Sequence, residues 1–243
     1  MSEMKILDYP WEISMYQVNK DGYMFPWELF KVMQEAGASH HLIVRESLLK
    51  LYDRGYGWLL IGFGMEMLEY PKYEETITIR TWISEIANVY TRRQYIVLSQ
   101  DYRPIGRAQT LWAFFDVKSR KVCKMPDELY ATWPVYNKIV LDWDLKHIPR
   151  LSAAVNSTKI QTRFSDLDSL GHVNNLHYIT WLYEALSPTW RNKQFKKIRA
   201  RFMAEAYENN ILEIRNSAES ERMLHVIENL STGKICLLAE TYW

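Results

Sequence analysis

Two stretches of the chain repeat apolar side chains at helical spacing, while most other apolar positions alternate with polar ones. Trp27, Phe30 and Met33 recur three apart after Pro26, which suits a first helical turn, and the run continues to Gly37 and the His40–His41 pair. Leu176, Ile179, Leu182, Tyr183 and Leu186 form a second stripe that begins near Asn174 and is stopped by Pro188. Both stripes are apolar around much of the girth, the pattern of a helix enclosed by a sheet. Strand signals follow each helix. Ile77, Ile79 and Ile83 alternate with Thr78, Arg80 and Trp82, and Ile198, Ala200, Phe202 and Ala204 alternate with Lys197, Arg199, Arg201 and Met203. RRQYIVLSQ from Arg92, GRAQTLWAFFDV from Gly106, RMLHVIENL from Arg222 and KICLLAETYW from Lys234 complete the strand set. The stretch from about Lys124 to Asn156, with Pro126, Pro134 and Pro149, reads as a surface connection between halves.

The halves repeat one another. GYMFPWELFKVMQEA from Gly22 lies over GHVNNLHYITWLYEA from Gly171, so that Phe30, Met33, Glu35 and Ala36 match Ile179, Leu182, Glu184 and Ala185. Further on, ETITIR (Glu75 to Arg80) answers NILEIR (Asn210 to Arg215), and AQTLW (Ala108 to Trp112) answers AETYW (Ala239 to Trp243). Three matches in the same order indicate a duplication. The expected class is therefore α+β, a tandem with one helix per antiparallel sheet.

Composition narrows the function. Thirty Lys and Arg against 29 Asp and Glu leave a formal charge of +1, which argues against a strongly basic nucleic-acid binder. Ten Trp and 16 Tyr suit either an aromatic core or a pocket for an apolar ligand. Cys123 and Cys236 have no metal-like spacing, there is no secretory-type start, and no apolar run reaches membrane-span length. These features predict a cytoplasmic protein without metal or cofactor. No GxSxG motif, Gly-rich phosphate loop or zinc-like Cys/His cluster occurs.

The densest chemistry is RFSDLDSLGHVNNLHYITWLYEA, Arg163 to Ala185, where Asp166, Asp168 and His172 precede the second helix. A helix start presents unpaired N–H groups and the positive end of the peptide dipoles, which suits a developing oxyanion. The backbone of Gly171, Val173 and Asn174 is the expected donor set. The residues alone leave an ordinary alternative open, in which His172 is structural and the acids and asparagines are turn and capping residues. The first half has Met24 and Phe25 where the second has Val173 and Asn174, so only the second half is expected to react.

DLDSLGHVNNLHYITWLYE resembles the C-terminal signature of the fatty acyl-ACP thioesterases, Asp-x-Asp-x-Asn-x-His-Val-Asn-Asn followed by Tyr, Trp and Glu. YPKYEETITIRTWIS, RRQYIVLS and LWAFFDVKSRKVCKMPDEL also resemble segments of that family in order, and the similarity runs from about Tyr16 to Trp243. The resemblance, to the bacterial type, implies a double hotdog, two antiparallel sheets each wrapped around a long central helix. It implies an N-terminal hotdog domain over 1–130 that binds the acyl chain, a linker over 131–156, and a catalytic C-terminal hotdog domain over 157–243. The implied activity is hydrolysis of fatty acyl-ACP to free fatty acid in fatty acid biosynthesis, with Asp168, His172 and Glu205, on the strand after the long helix, as catalytic residues. Two departures stand out: Leu170 replaces the family's Asn, and Ala206 stands where some relatives have Cys, which excludes a thiolate there. An acyl-CoA thioesterase of the same fold and a non-catalytic acyl-binding protein remain alternatives, and either His172 or a carboxylate can be the base.

Two further assignments follow. Trp27, Phe30, Met33 and Trp58 are expected to house the acyl tail, the alternative for each being plain core. Six basic residues lie between Arg191 and Arg201, and Arg191, Lys193, Lys196 and Lys197 are expected to dock the acidic acyl carrier protein. Nucleic acid is not expected as a partner, and a homodimer is left open.

Overall fold

The computed structural model describes residues 5–43, 47–151, 156–191, 193–219 and 221–243. The chain divides into two compact units, one made of the residues up to Ile61 with Met65–Asp142, the other of Gly62–Gly64 with Trp143–Trp243. No described helix is long and apolar enough to cross a membrane.

The first unit begins with β1 (Leu7–Glu12) and a short 3-10 turn over Met15–Gln17, and continues into α1 (Pro26–Ile43) and α2 (Leu48–Asp53). The strands β2 (Tyr56–Met67), β3 (Thr76–Ala87), β4 (Tyr90–Leu98), β5 (Pro104–Asp116) and β6 (Lys121–Val122) follow, with the single turn α3 (Asp127–Tyr130) at the end. Their hydrogen-bonded order is β1-β3-β4-β5-β2, and β6 pairs with β5. Helix α1 starts at Pro26, whose missing N–H and fixed φ suit that position, and packs on β1 and β3. Leu29, Phe30, Val32, Met33 and Ala36 have no exposed surface, because they face Ile77, Ile79 and the rest of the sheet's inner face.

The second unit repeats this plan. It holds β7 (Asn156–Gln161), a 3-10 turn over Phe164–Asp166, α4 (Asn175–Glu184), α5 (Pro188–Arg191), β8 (Lys197–Phe202), β9 (Ile211–Glu219), β10 (Arg222–Asn229) and β11 (Lys234–Tyr242). Its order, β7-β9-β10-β11-β8, is that of the first unit strand for strand. The likeness reaches single bonds. Gly22 and Gly171 both take left-handed backbone, at φ +80° and +78°, and the isolated bridges Val18–Met24 and Leu167–Val173 close the same loop in each half. Pro188 ends the second stripe as expected, yet it also opens α5, since proline is well accommodated in a first turn.

The proline-rich connection is held down more firmly than its composition suggests. Trp133, Leu141, Leu145 and Ile148 are buried, and Ile148 joins Val226 and Leu238 in a small apolar cluster. Within the first unit, Trp82 donates its indole N–H to the Lys138 carbonyl (2.7 Å), and Gln94 Oε1 accepts from the amides of Val140 and Leu141. Within the second, Arg199 and Arg201 donate to the carbonyls of Asp144 and Lys146. Extended backbone without a ladder must find partners elsewhere, and long polar side chains on the strands supply them.

Candidate active site

Asp168 builds the turn that precedes α4. Its N–H donates to the His172 carbonyl (2.7 Å), its own carbonyl accepts from Gly171 (3.1 Å), and its Oδ1 accepts from the amides of Leu170 (2.8 Å) and His172 (3.1 Å). One carboxylate oxygen, Oδ1, is therefore engaged by backbone, and it positions His172 through the main chain. Asn174 caps the helix, its side chain accepting from the Leu176 N–H at 3.0 Å.

The Val173 N–H donates to the Ala206 carbonyl (2.9 Å), and this bond ties the segment leaving β8 against the turn. Glu205 thus lies just past the strand, in irregular backbone after Phe202, and not within a strand as the resemblance implied. The ladder to β11 ends at Phe202, after which the Met203 N–H still donates to the Cys236 carbonyl (2.8 Å). His172 Nε2 lies 3.7 Å from Glu205 Oε2, and the same oxygen accepts from the Tyr207 hydroxyl at 3.0 Å. The rings of His172 and Tyr207 meet edge to face at 5.2 Å. The His172 side chain is 18 % exposed and that of Glu205 35 %, so both are sheltered yet reachable. His172 and Glu205 lie close together, as the resemblance implied for them; Asp168 bonds to the main chain of His172, and no bond from it to the imidazole ring occurs among the described residues. Tyr207 was missed, although an aromatic hydroxyl two residues from the nominated acid is a legible signal.

The expected oxyanion donors do not hold. The N–H groups of Gly171, Val173 and Asn174 are already donated, to the carbonyls of Asp168, Ala206 and Asp166. The His177 N–H goes to the Asn174 carbonyl. Among the described residues, the first-turn amide left without a protein acceptor is that of Asn175, the first residue of α4. Its counterpart in the first unit is Pro26, which has no N–H at all.

The first unit isolates what belongs to scaffold and what to chemistry. There Asn19 plays the part of Asp168: Oδ1 accepts from Asp21 and Tyr23, both at 3.0 Å, and Met24 donates to the Pro71 carbonyl as Val173 does to Ala206. The same turn presents Tyr23 under the Lys72 ammonium (4.9 Å) where the second unit has His172 beside Tyr207. A second pair repeats too. Asp166 Oδ1 lies 3.9 Å from His177 Nδ1, and in the first unit Gln17 donates to Glu28 at 3.2 Å. Both pairs tether a 3-10 turn to a helix. His177 stacks on Trp181, and burial lowers its pKa against the opposing pull of Asp166.

The remaining nominated residues scatter by role. Phe30 and Met33 are wholly buried, Trp27 stacks on Phe25 with centroids 4.2 Å apart, and Trp58 packs beside Phe114 and Trp133 with a buried indole N–H. Arg191 donates to the Glu184 carbonyl at the end of α4, Lys193 sits 4.6 Å over the Trp190 ring, and Lys196 is exposed. Lys197, half-buried, opens β8. Leu170 is 43 % exposed on the rim of the turn. No three described His, Cys, Asp or Glu side chains gather as a metal site.

Comparison with known proteins bears on the family and the fold. The chain is 24 % identical to an acyl-[acyl-carrier-protein] hydrolase of Cuphea viscosissima over 95 % of its own length and 60 % of that protein. It is 23 % identical to a dodecanoyl-[acyl-carrier-protein] hydrolase of Umbellularia californica over 95 % of its length and 65 % of the relative. The chain thus spans less than two thirds of these curated relatives. In three dimensions it matches an acyl-ACP thioesterase from Bacteroides thetaiotaomicron with a TM-score of 0.89 at 20 % identity, covering 100 % of this chain and 99 % of the other. The 12:0-ACP thioesterase from Umbellularia californica gives the same TM-score, again at 20 % identity, over 98 % and 96 %. The fold is accordingly the hotdog-type fold of those structures, rich in antiparallel strands with few helices. The model of the acyl-ACP thioesterase N-terminal domain matches residues 5–133 and that of the C-terminal domain residues 150–243, so the chain belongs to the acyl-ACP thioesterase family.

Proposed function

We propose that this protein hydrolyses the thioester of a fatty acyl-ACP, releasing free fatty acid and the carrier protein, as a step of fatty acid biosynthesis. The observation that carries the reading is the meeting of His172, Glu205 and Tyr207 at the turn before α4, whose first amide, that of Asn175, has no acceptor among the described residues. Membership of the family and the names of the relatives above support it. Each half is read as one hotdog, its sheet wrapped around its helix, with 1–130 holding the acyl chain, 131–156 linking and 157–243 carrying the chemistry. Trp27, Phe30, Met33 and Trp58 serve the tail in this reading.

A water molecule held by Glu205 and His172 gives up a proton to one of them as its oxygen bonds to the acyl carbon. The carbonyl oxygen becomes an oxyanion, received by the Asn175 N–H and the positive end of α4. The carbon–sulfur bond then breaks, the proton passes to the departing sulfur, and the carboxylic acid remains. General-base help of this kind is worth about 10²- to 10⁴-fold. Tyr207 fixes the Glu205 carboxylate, and Asp168 fixes the main chain of His172. Ala206 excludes a thiolate at its position, which leaves activated water or a carboxylate as the attacking group.

One observation favours a second reading. Leu170 places a hydrocarbon where the family carries an amide side chain, which suits a protein that binds acyl groups without turning them over. Thiol release from a panel of acyl-ACPs and acyl-CoAs decides. We expect release by wild type on acyl-ACPs, with His172→Ala and Glu205→Ala each slowed at least 100-fold. Variants equal to wild type would remove this site, and a wild type inert on every thioester would favour the binding reading.

A further inference from the structure

Arg93 on β4 is the charge that the thioesterase reading leaves unused. It is 3 % exposed, and no carboxylate lies within ion-pair reach of it among the described residues. Its Nη1 meets His40 Nδ1 at 3.0 Å and Thr81 Oγ1 at 3.3 Å. Since a guanidinium only donates, the imidazole accepts at Nδ1 and is neutral. Buried arginines are ordinarily paired, because a desolvated cation without a counter-group is strongly disfavoured.

The fold does not require a cation here. Arg93 stands opposite Thr110 across β4 and β5, and the matching position of the second unit, opposite Thr241 across β10 and β11, is Met223. The neighbouring pairs are alike in both units, Tyr95 with Thr110 at 3.4 Å and His225 with Thr241 at 2.8 Å. Gly37 lies against this pair, where an added Cβ would sit at ordinary contact distance, 3.4 Å from the Tyr95 hydroxyl and 3.7 Å from Arg93 Cδ and Nε; the matching position of the second unit, just past the end of α4, holds buried Leu186.

Other buried donors of this unit are unsatisfied among the described residues. Gln34, one turn before Gly37 on the same helix face, has a buried Nε2 without an acceptor among the described residues, and Trp58 Nε1 is in the same state. We propose that the N-terminal unit receives an acyl tail carrying an acceptor oxygen, a terminal hydroxyl or carboxylate group, with Arg93 as its principal donor. This deepens the acyl-ACP reading and rests on it for the identity of the tail.

The test compares acyl-ACPs of matched length, from C8 to C16, ending in methyl, hydroxymethyl or carboxylate, on wild type and Arg93→Met, the variant that installs the residue of the second unit. A parallel arm measures displacement of a fluorescent fatty acid by the corresponding free acids on wild type, independent of turnover. Wild type is expected to favour one oxygen-bearing series over methyl by at least tenfold in kcat/KM and in displacement, and Arg93→Met to bring that ratio to one or below. Hydroxyl and carboxylate series separate the two sources of the oxygen. Preference for methyl in both arms would overturn the proposal while leaving hydrolysis intact. If no thioester is turned over, the hydrolytic reading fails and displacement alone decides, equal affinities overturning the proposal and a tenfold preference supporting it. Failure of Arg93→Met to fold leaves both wild-type arms decisive.

Discussion

Substituting proline for Asn175 removes a single N–H from the candidate oxyanion site and little else. The position is the first of α4, where proline's fixed φ is already helical and its absent N–H breaks no helix bond. Asn174 sits at φ −63°, ψ 135°, the extended backbone that a residue before proline requires. The first unit already carries this arrangement, with Pro26 at the same place in its own helix. Stability should therefore change by no more than about 0.5 kcal/mol, the usual range for surface substitutions away from special features. Loss of one oxyanion donor is worth roughly 3 to 4 kcal/mol, or about 10²- to 10³-fold in kcat. Asn175→Ala, which keeps the N–H and loses the side chain, is the control and should stay within about threefold of wild type on the same free-energy scale. The assay is steady-state thiol release from acyl-ACP, with thermal melts of each variant. If Asn175→Pro folds normally and turns over as fast as Asn175→Ala, the amide has no part in catalysis and the helix start is not the oxyanion site.

Two other outcomes follow from the structure. Complete burial holds the His225 imidazole, pushed down to about 3, so below an unfolded value near 6.5 the unfolded chain takes up a proton that the folded one refuses. Its contribution is fully present above pH 6.5 and is lost at about 1.4 kcal/mol per pH unit as the pH falls toward 3; urea midpoints of wild type and His225→Gln between pH 7 and 4.5 should diverge by this slope, and parallel curves would disprove it. Reversal of Lys196 and Lys197 to Glu should raise KM for acyl-ACP roughly tenfold at low salt and lose that effect near 0.5 M salt, while a small soluble thioester is unaffected. Equal changes for both substrates would show that the basic run does not recognise the carrier.

Much of the fold was legible because period and order carry it. Helical spacing located α1 and α4, alternation located the long strands, and three short matches in register revealed the duplication that the strand order then repeated. His172 and Glu205 were nominated by resemblance. What sequence could not supply was the destination of each hydrogen bond. Gly171, Val173 and Asn174 stand at the right place for an oxyanion site, yet their amides are consumed by carbonyls contributed from Asp166 to Ala206, and only closure of the loop shows it. Asp168 and Asn19 likewise look unrelated as residues and make the same turn.

The residues by themselves determined that two similar halves each fold around one apolar helix, since burying such a stripe admits few other solutions. They also determined that an acid-x-acid pair and a histidine precede the second helix and not the first. Tertiary structure alone decided that Glu205 reaches His172 and that, among the described residues, Asn175 keeps an open amide and Arg93 is buried without a counter-charge. Each of these depends on groups far apart in the chain meeting within a few ångströms, and the free energy of a hydrogen bond or a buried charge is set by those partners and not by the residue's own place in the sequence.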